Sequence, residues 1–209
     1  MNPVDSRFTD QAHVSLAVPA ERAYVPDMPP HPAAVITADE LLHVRIPDKR
    51  VELVRGVLVV REPAGLRHGR VAMDLARILA NHIDARGLGK VYAAETGFTL
   101  ARNPDTVRAP DIAFLRRDRI PDPEPAGFPD RAPSLVAEVL SPGDRPGEVL
   151  AKVADWLSAG TELVWVIDPG ARVARIYRDD GTEQILTADQ TLDGEDVVPG
   201  FSCGLGEIL

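Results

Sequence analysis

Apolar residues return along this chain at two different periods, and the changes between them outline its elements. From Arg70 to Arg86, Val71, Leu75, Ile78, Leu79 and Ile83 recur every three or four residues, and Gly87 and Gly89 follow. That spacing predicts an amphipathic helix with a glycine stop. Val149, Val153, Trp156 and Leu157 predict a second helix over 148–159, closed by Gly160. A short capped helix is expected in TADELLHV, where Thr37 precedes Glu40 by three residues as in a capping box. Elsewhere the period falls to two or the run is wholly apolar. VELVRGVLVV reads as two strands turning at Arg55–Gly56, and VYAAETGFTL, DIAFLRR and SLVAEVL as three consecutive strands. ELVWVID supplies a buried strand, and ARVARIYR and TEQILT flank the turn dipeptide Asp180–Gly181. The segment after that hairpin reads as irregular.

The expected architecture is α/β (α+β): a central mixed sheet flanked by helices, with an N-terminal and a C-terminal β-hairpin attached. Pro3, Pro19, Pro26, Pro29, Pro30 and Pro32 interrupt the start without sustained periodicity, so residues 1–35 read as a flexible Pro-rich extension. Residues 36–209 then form a single domain, a length that suffices for one sizeable core.

Charge refines this picture more than composition does. The chain carries −9 overall, but after Arg178 there are eight acids and no Lys or Arg, and residues 36–178 stand at +1. A balanced central section permits phosphate contacts without demanding them. No run approaches the roughly 20 apolar residues that cross a bilayer, so no membrane partner is expected. The start has no basic, apolar and small-residue succession of a secretory signal, which gives a cytoplasmic expectation. Cys203 is the single cysteine, which rules out an internal disulfide and fits a small buried residue.

Candidate chemistry lies where acids interrupt apolar strands. Pro110–Asp111 opens one strand and Glu138 sits inside the next, on one face with Val136 and Leu140. Two carboxylates about 4 Å apart at an effective dielectric near 20 would repel by about 4 kcal/mol. A divalent cation would remove that cost, and hard oxygen donors suit magnesium or manganese. Lys152, one turn into the second helix, could bring an ammonium to the strand ends. An acid at a strand start often only caps a turn, and an isolated helical lysine is commonly a solvated flank. Glu138 is harder to explain in that way, because a charge inside an apolar strand needs a partner.

These segments together resemble the Uma-type restriction endonucleases of the PD-(D/E)XK superfamily. The carriers are VELVRGVLVV, the helix from His68, APDIAFL, LVAEVLSPGDR, then Lys152 followed by WLSAGTELVWVIDP, and VPGFSCGLGEIL. The resemblance implies a restriction-endonuclease-like core, a divalent metal (Mg2+ or Mn2+) and hydrolysis of phosphodiester bonds in nucleic acid, with DNA the expected polymer. It implies Asp111 and Glu138 as metal ligands, the Val139 carbonyl as a third, and Lys152 as the catalytic lysine. The superfamily's lysine two residues after the glutamate is Leu140 here; in the Uma-type pattern it moves to the following helix, as Lys152 does.

Glu52 and His68 are secondary candidates: Glu52 could be a supporting ligand, although an edge-strand acid facing water explains it as well, and His68 could contact substrate or tune the metal site, although a capping or surface histidine is the commoner case. Arg102, Arg108, Arg116, Arg117 and Arg119 flank Asp111 in sequence and could touch phosphates, although alternating charges usually mark a solvated edge. Ser141 reads as turn chemistry, and Trp156 and Trp165 as core anchors. By analogy with enzymes that cut two strands, a homodimer is expected. Two other readings stay open: an inactive nuclease-fold module that recruits a partner, and action on a different phosphate ester.

Overall fold

The computed structural model describes residues 35–209, so the extension expected over residues 1–35 lies outside the described residues save for Val35. The capping box forms as the spacing predicts: Thr37 Oγ1 accepts from the Glu40 amide, Glu40 accepts from the Thr37 amide, and helix α1 (Ala38–Leu41) follows. Strands β1 (Arg50–Val54) and β2 (Val57–Arg61) pair antiparallel about Arg55–Gly56. Both turn residues take positive φ, 49° and 76°. A Cβ on Gly56 would lie 2.2 Å from Val35 Cγ1, so the turn needs glycine twice over.

Helix α2 (Leu66–Arg86) buries Val71, Leu75, Leu79 and Ile83 and ends at Gly87, whose φ of 61° is left-handed. It begins before the apolar repeat does, because its first turn is largely solvent-exposed. VYAAETGFTL is not one strand. It divides into β3 (Gly89–Ala93) and β4 (Phe98–Ala101), which belong to different sheets. Between them Glu95 has a φ of 70°, and a Cβ on Gly97 would meet the Phe128 ring at 2.5 Å. Three buried residues, Thr106–Arg108, make β5, too short for alternation to reveal it. The first sheet therefore has the order β2-β1-β5-β4.

The second sheet is the mixed central one. Its strands are β3, β6 (Ile112–Arg116), β7 (Leu135–Val139), β8 (Leu163–Asp168), β9 (Val173–Arg178) and β10 (Glu183–Thr187), in the order β10-β9-β8-β7-β6-β3. Only β7 and β8 run parallel, joined by helix α3 (Pro146–Ser158); the β9–β10 pair is the C-terminal hairpin. Alternation sends Ile112, Phe114, Leu135, Ala137 and Val139 to the α2 side, and Ala113, Leu115 and Val136 to the side of Val153 and Trp156 on α3.

The acidic segment expected to be irregular instead carries β11 (Thr191–Asp193), β12 (Ser202–Gly204) and α4 (Leu205–Ile208). Leu192, Val198, Phe201, Leu205 and Ile208 join the α2-side core, and Phe201 stacks on Trp165 with centroids 5.6 Å apart. Cys203 is buried there. Among the described residues, no helix is long and apolar enough to cross a membrane.

Candidate active site

Between β5 and β6 the chain passes from the first sheet to the second through Ala109, Pro110 and Asp111. Asp111 precedes β6 by one residue, and the β6–β7 register, Ile112 opposite Ala137, brings it level with the end of β7. There its Oδ2 accepts from the Val139 amide at 2.8 Å and stands 3.0 Å from His68 Nε2 at the start of α2. Its Oδ1 is 3.5 Å from a guanidinium nitrogen of Arg50. Burial alone would push this carboxyl up, but the His68 contact, the Val139 amide and the charge of Lys152 hold it below the usual carboxylate range.

Glu138 projects from β7 toward α3, the face its position in the apolar alternation assigns. Its Oε2 accepts from Lys152 Nζ at 2.9 Å and its Oε1 from Trp156 Nε1 at 2.9 Å. Lys152 and Trp156 are four residues apart on one helical face, so a single helix supplies both donors. Burial pushes the Glu138 carboxyl up to about 7, with Asp111 and Glu52 adding to the rise and Lys152 opposing it. The same acids hold the Lys152 ammonium above its ordinary value in spite of burial.

Glu52 is not an edge acid facing water: β1 is an inner strand and Glu52 is 6% exposed. Its Oε1 accepts from the Ala109 amide at 2.9 Å and lies 3.3 Å from Lys152 Nζ, while Oε2 accepts from Arg108 at 3.1 Å. Lys152 and Arg108 hold this carboxyl low against the opposing effect of burial. Arg108 also donates to Asp155 Oδ2 at 2.6 Å, and Lys152 Nζ donates to the Ala109 carbonyl at 3.2 Å. Glu52, Arg108, Asp155, Lys152 and Glu138 thus form one connected network, with Glu52, Arg108 and Glu138 buried and Lys152 and Asp155 partly exposed.

These groups line a cleft of about 470 Å³ at the seam of the two sheets, with Asp111, Glu138, Val139, Lys152, Glu52 and His68 all on its wall. The size suits a small ligand or one or two units of a polymer. Sequence reasoning missed Arg50, Asp155, the Ala109 carbonyl and the cleft acid Glu95. Only Asp155 had a usable signal, one turn after Lys152 on the polar side of α3. The arginines flanking Asp111 do not act as a group. Arg108 is buried in the network, Arg102 pairs with Asp105 and Asp130, and Arg116 and Arg119 pair with Glu162.

The donor chemistry fits a divalent cation of the hard kind. Asp111 and Glu138 offer carboxylate oxygens on one cleft wall, and Val139, whose carbonyl is a third oxygen donor, lines it beside them. Among the described residues no three His, Cys, Asp or Glu side chains are grouped as a cage. An ion retaining several waters suits such an open set better than one needing a full protein shell.

A mixed sheet with a long helix packed on one face, and acids and a lysine meeting at the ends of its inner strands, defines a restriction-endonuclease-like α/β protein. The chain belongs to the Uma2 family, described as "Putative restriction endonuclease", which it matches over residues 38–206. It is thereby placed among nucleases. It is also similar to a crystal structure from Anabaena variabilis ATCC 29413, "a putative nuclease belonging to DUF820", with a TM-score of 0.72 at 21% identity, covering 83% of this chain and 97% of that one. That likeness supports the fold. Among curated proteins, none matches the chain.

Proposed function

We propose that residues 36–209 are a single catalytic domain acting as a divalent-metal-dependent endonuclease on nucleic acid, with DNA as the polymer. The observation that carries the reading is the convergence of Asp111, Glu138 and Lys152 on one cleft in a chain of this family. Asp111, Glu138 and the Val139 carbonyl would hold magnesium or manganese. Such an ion, when bound, supplies Lewis acidity to a phosphodiester and acidifies water. The chain's own groups do the positioning. His68 and the Val139 amide fix Asp111, and Trp156 fixes Glu138. The Lys152 ammonium, braced by Glu52 and the Ala109 carbonyl, offers positive charge where a phosphate gains negative charge. We further propose that the enzyme works in the cytoplasm and, by analogy with enzymes that cut two strands, as a homodimer.

A second reading has its own observation: both Glu138 oxygens already accept hydrogen bonds from protein donors. On that reading the chain is an inactive nuclease-fold module that recruits a partner. Incubating the protein with plasmid DNA and magnesium or manganese separates the two. The endonuclease reading expects cleavage that is lost in Asp111→Ala and Glu138→Ala, with manganese binding by calorimetry lost in parallel. No cleavage and no manganese binding by the wild-type protein would favour the module; cleavage unchanged in both variants would reject the residue assignment.

A further inference from the structure

Most cations lining the cleft are held tightly by protein acceptors. Arg61 donates to Glu148 at 2.8 Å, Arg45 to the Leu42 and Val44 carbonyls at 2.8 Å, and Lys49 contacts Glu62 at 2.5 Å. Arg108 and Lys152 belong to the connected network. Arg50, at the start of β1, differs. Its contacts are the Glu62 carbonyl at 3.4 Å and Asp111 Oδ1 at 3.5 Å, both long for a guanidinium. Its Nε is buried with no hydrogen-bond partner among the described residues, although the side chain as a whole is 32% exposed. A buried donor left without an acceptor carries its full desolvation penalty. A guanidinium held only by long contacts and partly exposed beside an acid of the site is placed to take an anion from outside the chain.

Its location indicates which anion. Arg50 lies where the cleft meets a second, more apolar groove along α2, floored by Ala72, Met73, Ala76 and Ala93; the two share Lys49, Arg50, His68, Glu95 and Asp111. Met73 is 63% exposed on that floor. A chain that carries anionic groups and flat apolar groups, running from one groove to the other, passes the residues they share, Arg50 among them. A nucleic acid, with phosphates joined through sugars and a flat base on each sugar, has both kinds of group.

We propose that Arg50 is the phosphate-binding residue of the cleft, its guanidinium taking the non-bridging oxygens of the nucleic-acid phosphate next to Asp111. This rests on the nuclease reading and adds to it the residue that places the backbone. The planar fork matches a phosphate in two-point contact, which an ammonium cannot reproduce in full. Engaging a phosphate also draws the guanidinium off Asp111 Oδ1, so substrate binding frees that oxygen.

The test measures anisotropy of a short fluorescein-labelled DNA duplex, and of a single-stranded RNA of the same sequence, with full-length protein in calcium across a range of NaCl. Arg50→Gln should bind the probe that wild type prefers about tenfold more weakly, and its slope of log K against log salt should be shallower by about 1. Arg50→Lys should keep the wild-type slope. In magnesium, cleavage by Arg50→Gln should show a raised KM with a smaller change in kcat, and circular dichroism should be unchanged. Unaltered affinity and slope in Arg50→Gln, while wild type binds and cuts, would overturn the assignment and leave the nuclease reading standing. A wild-type protein that neither binds nor cuts either probe would remove both.

Discussion

Lys152 Nζ stands 2.9 Å from Glu138 Oε2 and reaches Glu52 Oε1 at 3.3 Å, so one ammonium joins an acid of the first sheet to an acid of the second. Neither glutamate is more than 7% exposed. A cation between two acids so buried offsets part of the cost of their charges.

Removing that cation should therefore cost more than its own contacts. Lys152→Met should lower the unfolding free energy by about 2–3 kcal/mol, below the full cost of breaking a buried pair because the lysine is 20% exposed. Adding Glu138→Gln should restore a good part of it. Urea denaturation of the two single variants and the double variant measures the coupling, and strict additivity would mean that the two side chains act independently.

The pH dependence follows from the direction of the Glu138 shift. A carboxyl raised from 4.5 to about 7 by burial contributes stability in full below 4.5 and loses it as pH climbs to about 7. Asp111 and Glu52 are held low, so their contributions persist through that window and disappear only in acid. Metal-free protein should show a thermal midpoint that falls from pH 4.5 to 7, and Glu138→Gln should flatten the trend. Manganese, competing with the same proton, should bind more tightly as pH rises over that range; calorimetry at several pH values gives the trend.

Trp156 acts in the core and at the site together. Trp156→Phe keeps a ring on the α3 side but removes the donor to Glu138 Oε1. A loss of about 1.5–3 kcal/mol is expected, the range for a hydrogen bond to a charged group. If denaturation shows no loss, the indole nitrogen does not hold Glu138.

Arg108 provides the sharpest contrast between buried and surface pairs. Arg108→Leu would leave Glu52 with only Lys152 and the Ala109 amide and would remove the guanidinium from the partly exposed Asp155, and should cost about 2–3 kcal/mol. Arg175→Ala, which removes the half-exposed pair with Glu183, should cost less than about 1 kcal/mol. Equal effects in paired denaturation curves would contradict the burial argument.

The parts of this molecule legible in its sequence are those where one residue's neighbours decide its environment. The face of Glu138 follows from the two-residue repeat of β7, and the reach of Lys152 from its place on the apolar flank of α3. Joints were not legible. Nothing local distinguishes β3 from β4 as members of different sheets, since the division depends on the positive φ of Glu95 and on Phe128 packing over Gly97. Glu52 read as an edge acid because its burial is set by β5, whose three residues carry no pattern. Arg108 and Asp155 meet across 47 positions, a distance that no periodicity spans.

The four residues from Arg108 to Asp111 carry contacts of four kinds: a guanidinium to Glu52 and Asp155, an amide to Glu52, a carbonyl to Lys152, and a carboxylate to Val139 and His68. They behave as a splice between two halves that carry no shared backbone pairing at this point. Lengthening the splice by one residue would throw the acid and the lysine's brace out of step with each other while leaving every strand intact. The enzyme's geometry is therefore more sensitive to chain length here than to most changes of side chain, and natural insertions should avoid this tetrapeptide even where the loops on either side tolerate them.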